Sequence, residues 1–397
     1  MGITVMENFD VADFATLNAA PHGVNQVNGG LNGTWALTSF TENGMRRPSI
    51  TCRNDFYQGG SSATVGAALE IPIPLPASGV NIDRTYYVSF RIRLVTGSNA
   101  ASMTPIMTFN HVQVYLAISS YVASGVGNSY NLANFTRGDY VGGGDATKIR
   151  GYAGPGATAN TPNTQFAPDA NGWFHVEVYK PAGSMFATVW INDFMYQANT
   201  ATSNPNIINA NTNYVRVFMG RTGGFLNGVV GGFEMTDLIV IDPTTDGQKY
   251  RFGSSARVLS MDYTADVVNQ WAADPSATLT HREMMMSDRS VPLANNILTG
   301  LTVGQREQYA MRDIPAAFGP YVPAVMVRPR VMNAGASTHS VAMEMDWGSG
   351  IAEIGVKSVA AGGAYDTTPI IMTTKPNGDP WTTADFASAK AGFSVKS

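Results

Sequence analysis

The sequence predicts an all-β protein of two sandwich domains in series, and three observations carry that prediction. Charged residues make up only 14% of the chain against 44% apolar, whereas helical surfaces are normally dense in Lys and Glu. Turn formers abound, with 41 Gly and 21 Pro. Polar and apolar residues also alternate with a period of two, in runs rich in β-branched and aromatic types. At 397 residues the chain exceeds what one core usually supports, so two domains are expected.

The clearest strands of the first half are residues 85–94 (TYYVSFRIRL), 111–118 (HVQVYLAI), 173–179 (WFHVEVY), 186–191 (FATVWI), 214–219 (YVRVFM) and 233–241 (FEMTDLIVI). In TYYVSFRIRL, Tyr87, Ser89, Arg91 and Arg93 share one face, and Tyr86, Val88, Phe90, Ile92 and Leu94 the other. Such a strand is expected to cover a core on one side only. Residues 119–170 are rich in Gly, Asn, Thr and Ala, too polar to bury, and predict a long ornamented loop. The Pro, Thr, Asp and Gly cluster in IDPTTDGQKYRFG, 241–253, marks a boundary near 248. It separates a domain of 1–247 from one of 248–397. Downstream strands are predicted at 256–263, 307–314, 324–332, 340–347, 351–358 and 369–373. A short helix is predicted at 383–391, capped by Thr382 or Thr383 and followed by Gly392 and a last strand. Fixed-period repeats and heptads are absent from the sequence.

Charge and cysteine content exclude several classes. The net charge is -4 and the first lysine is Lys148, so there is no basic field for a nucleic-acid backbone. The single cysteine, Cys52, cannot form an internal disulfide, and no Cys/His cluster has zinc-ligand spacing. Folding in a reducing cytoplasm is expected. MGITVMENFD has no basic segment leading into an apolar core, and no apolar run approaches the roughly 18 residues of a span. The expectation is a protein with no membrane insertion and no signal-peptide export, which would leave by lysis if it works outside a cell.

No catalytic constellation is predicted, and ligand-binding residues stay unassigned. The sharpest catalytic idea is a glycosidase pair, Glu344 and Asp346 on one face of AMEMDWGSG, with Trp347 as a sugar platform. Gly348, Ser349 and Gly350 stand where a third acid would be expected, which favours a half-exposed acidic strand. His22, His111, His175, His281 and His339 are scattered, and no G-x-S-x-G elbow occurs. His175 shares a face with Trp173 and Glu177, as expected of packing or surface positions. Cys52 reads as a small buried hydrophobe. Met284, Met285 and Met286 read as strand or interface filling. The glycines between Gly224 and Phe233 read as turns, since no phosphate-loop Lys follows. No cofactor is expected. Structural calcium stays open because Asn54-Asp55 and Asn192-Asp193 put hard oxygens in loops, although no spaced calcium motif appears.

Two patterns go further. GWFHVEVYKPAGSMFATVWINDFMYQAN has a Trp-initiated strand, a turn at Pro181-Ala182-Gly183, a strand ending at Asn192-Asp193, and a third strand. With TYYVSFRIRL, GGFEMTDLIVID, the opening ENFD and Trp35, it resembles concanavalin A-like and laminin G-like jelly rolls over most of 1–247. Asn192-Asp193 replaces the usual Asn-Gly but keeps a turn that tolerates left-handed backbone. The second pattern comprises Gly253, Trp271, Tyr309, Asp313, Ile314, Pro315, Val325, Val327, Arg330, Pro380, Trp381, Thr382, Gly392, Phe393 and Val395. It resembles the C-terminal β-sandwich of tailed-bacteriophage minor tail and virion structural proteins, with Trp381 and Phe393 as core anchors.

The resemblance implies a non-enzymatic, tail-associated virion protein assembled in the host cytoplasm. Its partners would be other virion proteins, further copies of itself in a homo-oligomer, and a host-surface glycan. Capsid decoration or a head fibre is the alternative within that class. A glycan-binding adhesin, using Tyr121, Tyr130, Tyr140 and Tyr152 of the polar segment, and a polysaccharide depolymerase are the alternatives outside it.

Overall fold

Alternating apolar runs and hairpin turns fold here into antiparallel sheets. The fold class is all-β, a jelly-roll sandwich followed by a smaller β unit. The computed structural model describes residues 3–11, 17, 25–27, 34–54, 65–72, 85–96, 113–118, 130–137, 149–152, 165–181, 187–198, 214–221, 231–241, 251–285, 298–329, 331–333, 335–362, 365–366 and 369–397. The chain packs as two compact units. One holds Met1–Phe9, His22–Phe40 and Pro48–Val258, the other Asp10–Pro21, Thr41–Arg47 and Leu259–Ser397. Residues 251–258 pack with the first unit. Their binding groups lie far back in the chain, where local turn chemistry cannot register them.

The strands up to residue 258 are β1 (Ile3–Glu7), β2 (Asn25–Val27), β3 (Thr34–Glu42), β4 (Met45–Asn54), β5 (Val65–Pro72), β6 (Tyr86–Thr96), β7 (Gln113–Ile118), β8 (Tyr130–Arg137), β9 (Ile149–Tyr152), β10 (Gln165–Phe166), β11 (Trp173–Lys180), β12 (Ala187–Ile191), β13 (Phe194–Ala198), β14 (Tyr214–Arg221) and β15 (Gly231–Ile241). One sheet runs β13-β12-β11-β6-β15-β4-β3 with β1 added beside β15, and the other runs β10-β9-β8-β7-β14-β5-β2. Thus 119–170, expected as one loop, carries β8, β9 and β10. Backbone pairing sustains these strands at the margin of the second sheet without the apolar alternation that would have revealed them.

Val88, Phe90 and Ile92 of β6 stand opposite Val178, Val176 and Phe174 of β11, and all six are buried. The other face of β6 is buried as well: Tyr87, Ser89 and Arg91 are only 1–2% exposed. This corrects the expectation of a strand covered on one side. β15 changes partner along its length, pairing with β4 over Gly231–Met235 and with β1 over Leu238–Ile241. The β6 register slips by one residue between Thr236 and Ile239, where Asp237 takes φ +57°. The resulting bulge re-aims the Asp237 side chain. Asn192 and Asp193, both at positive φ (47° and 69°), form the β12–β13 turn, as a mirror-image hairpin turn requires.

In the second unit, β16 (Tyr263–Asn269), β19 (Arg306–Met311), β23 (His339–Asp346), β24 (Ile351–Val359) and β28 (Lys390–Val395) form a sheet in the order β16-β19-β28-β23-β24. Short pairs join β17 (Ala272–Ala273) to β18 (Leu298–Thr299), β20 (Tyr321–Val322) to β27 (Trp381–Thr382), β21 (Val325–Val327) to β26 (Ile370–Met372), and β22 (Val331–Met332) to β25 (Tyr365–Asp366). Trp381, Phe386, Met345 and Ala389 form a buried cluster.

Four expectations change here. Residues 256–262 are not a strand, and 324–332 splits into β21 and β22. Met284 and Met285 lie in a one-turn helix, α1 (His281–Met285), with Met284 buried. The expected helix at 383–391 is a 3-10 turn, Thr383–Phe386, whose start is fixed by a reciprocal Thr382–Asp385 capping box. It stops there because Lys390–Val395 is drawn into the middle of the sheet, between β19 and β23. Gly392 belongs in that strand: a Cβ on it would lie 1.8 Å from the Glu307 carbonyl oxygen.

Candidate functional site

Glu344 and Asp346 do share a face of β23, opposite Gly392 and Lys390 of β28, and each is engaged. Glu344 is 4% exposed, pairs with Arg306 at 2.8 Å and accepts the Ser394 hydroxyl at 2.6 Å. Asp346 accepts the Gly348 and Gly350 amides at 2.9 and 3.2 Å. The Gly348 amide, with help from Lys390, holds the Asp346 carboxyl below its ordinary range. Trp347, expected as a sugar platform, packs edge-on to Trp381 at 5.4 Å and lies, partly buried, against the core cluster. These carboxylates organise a sheet face and a turn. Glu344→Gln is expected to cost ~1–3 kcal/mol in a urea titration, and reducing-end release from polysaccharide that depended on Glu344 would contradict this assignment.

The richest polar constellation lies on the first sheet. Arg91, 1% exposed, bonds Asp237 at 3.3 Å and Asp169 at 3.1 Å and stacks over Trp173 at 4.9 Å. Arg93 meets Glu234 at 2.5 Å, and Glu234 accepts the Ser49 hydroxyl. Fully buried Glu177 accepts the Tyr87 hydroxyl, the Phe252 and Gly253 amides, both at 3.0 Å, and Arg251 at 2.7 and 3.0 Å. Asp193 takes the Ser254 amide at 3.1 Å, its hydroxyl, and Arg251 at 2.9 Å. Partial burial works to raise the Asp193 carboxyl, but Ser254 and Arg251 outweigh it and hold it low. Asp237 accepts the Val258 amide at 2.7 Å.

His175 sits within this layer, 3% exposed, its Nε2 2.9 Å from Ser89 Oγ and its Nδ1 without a hydrogen-bond partner. Burial pushes the imidazole down to about 3, against the pull of Asp193 and with help from Arg257, Arg91 and Arg251. Sequence inspection found no serine for any histidine, because Ser89 and His175 meet only across β6 and β11. The contact resembles a nucleophile–base pair. With Ser89 1% exposed and no acid hydrogen-bonded to Nδ1, it instead packs the layer.

A third cluster lies in the second unit. Glu307, 1% exposed, accepts the Trp271 amide at 2.6 Å and the Tyr309 hydroxyl at 2.5 Å, and faces His281 Nδ1 at 3.1 Å. Burial, then Glu307, pushes the Tyr309 hydroxyl far up. His339 bonds the Ser397 carbonyl at 2.7 Å. Cys52 and Asn54 lie on β4, with Cys52 opposite Phe233. Tyr130 and Tyr152 lie on β8 and β9. His22, His111, Asp55, Tyr121, Tyr140, residues 224–230, Met286 and Arg330 lie outside the described residues. Among the described residues no three His, Cys, Asp or Glu side chains gather as a metal site, and no helix is long and apolar enough to cross a membrane.

No family model and no curated protein matches the chain. Among solved structures it is similar to a sialidase at 10% identity, covering 53% of this chain and 17% of that one, with TM-score 0.28. Lectin I from Ulex europaeus, in complex with the methyl glycoside of alpha-L-fucose, is similar at 12% identity over 59% of this chain and 96% of that one, with TM-score 0.32. The CBM2 module of Lactobacillus casei BL23 phage J-1 evolved Dit is similar at 14% identity over 63% of this chain and 98% of that one, with TM-score 0.32. The jelly-roll assignment stands on the strand pairing described above.

Proposed function

We propose that the chain is a structural component of a tailed-phage virion, tail-associated and acting by assembly, with its jelly roll offered to a host-surface glycan. The supporting observation is the physical role of the residues that carry the virion resemblance. Trp381 and Tyr309 are fully buried, and Phe393 is 8% exposed. Trp271 packs against Phe393 at 6.5 Å. Asp313 accepts the Ser388 amide at 3.3 Å, Thr382 caps a turn, and Gly392 admits the β19 backbone. A pattern that recurs for packing suits a scaffold module better than a reaction centre. The glycan half is supported by the sandwich architecture alone. Mass spectrometry of gradient-purified particles is expected to find the chain at a fixed copy number. Recovery only from the soluble lysate would overturn the assembly reading, and purified chain that binds no host polysaccharide would remove the glycan half.

A further inference from the structure

We propose that residues 251–258 form an acid-released strap, held on the first sheet by three carboxylates and freed as one piece when they are protonated, while the sheet beneath stays paired. The strap belongs to no strand, yet four of its amides end on carboxylates. Phe252 and Gly253 donate to Glu177, Ser254 to Asp193 and Val258 to Asp237. Its own Arg251 closes the clamp on Glu177 and Asp193 and lies over the Trp190 ring at 4.8 Å. A segment held by β-pairing would be insensitive to pH. One whose amides end on side-chain carboxylates loses charge-assisted bonds as soon as those carboxylates take protons.

The surrounding charges act in the same direction. The strap's acceptors and their own partners are Tyr87 and Arg91 from β6, His175 and Glu177 from β11, Asp193 from the β12–β13 turn, Asp237 from β15, and Asp169, which pairs with Arg91. The strap itself adds Arg251 and Arg257. At neutral pH four carboxylates stand against three guanidinium groups, with His175 neutral. In strong acid the carboxylates are neutralised, His175 gains a charge, and four cations are left beside one another. Ser254 and Arg251 hold Asp193 below its ordinary range, so its bonds to the strap persist through mild acid and are lost only in strong acid, where His175 also takes up its proton. The strap leads directly into the second unit at Leu259.

The strap does not depend on the assembly reading, and the two ideas fail separately, since particle mass spectrometry does not test the strap. Hydrogen exchange of the full chain, corrected for intrinsic rates, is the test. At neutral pH the amides of Phe252, Gly253, Ser254 and Val258 are expected to be protected, and near pH 3 they exchange before those of β6 and β11. At neutral pH the Glu177→Gln/Asp193→Asn variant is expected to raise exchange at Phe252, Gly253 and Ser254 by about 100-fold, with β6 and β11 unchanged. Strap amides that are unprotected at neutral pH, or that open only together with β6 and β11 in acid, would overturn the proposal. The wild-type pH series decides the matter even if the variant misfolds.

Discussion

Trp381→Ala is expected to remove ~3–5 kcal/mol from the unfolding free energy of the second unit, the range for deleting a buried aromatic ring. The indole is fully buried, stands edge-on to Trp347 at 5.4 Å and packs on Phe386 at 5.8 Å. It also adjoins the β20–β27 pair, where Val322 is its partner. Its Nε1 donates no hydrogen bond, so Trp381→Phe loses volume but no polar contact. That variant is expected to cost ~1–2 kcal/mol. Urea titrations followed by far-UV circular dichroism measure both. A Trp381→Ala loss below ~1 kcal/mol would mean that Trp381 does not anchor the unit.

Stability is expected to fall by ~2 kcal/mol between pH 6.5 and 5 on account of His175 alone, and by ~4–5 kcal/mol on reaching pH 3. Burial lowers this imidazole from 6.5 to about 3, so over that window the unfolded chain binds a proton that the folded chain refuses. More protons bound by the unfolded state means that stability drops as pH drops, by about 1.4 kcal/mol per pH unit. The loss is complete below the folded value. His175→Gln keeps a group able to bond Ser89 and does not titrate, so its stability curve is expected to be flatter over the same window. Denaturant midpoints across the pH series measure this, and equal slopes for the two proteins would exclude His175 as the source.

The strands of the first sheet were legible because β6, β11, β12 and β15 bury one apolar face against a core, and burial writes a period of two into the sequence. β8, β9 and β10 were not legible, because backbone pairing holds them without that period. The same-face placement of Glu344 and Asp346 could be read from alternation. Their neutralisation by Arg306 and Lys390 could not, since those partners lie about 40 residues away in either direction. The strap illustrates the limit most clearly. Arg251 reads as part of a turn-rich boundary, while the groups that fix it, Glu177 and Asp193, stand 74 and 58 residues upstream. Trp381 and Phe393 were readable as core anchors from the resemblance of the pattern that contains them, in which large aromatics supply the apolar area a sheet buries.

A density map of the intact purified particle tests the structural assignment most directly. The account predicts tail-associated density that accommodates the first-unit sandwich and the five-stranded sheet of the second unit, repeated with the symmetry of the tail. A particle whose density is fully assigned to other chains, with this protein found only in the soluble lysate, would contradict it.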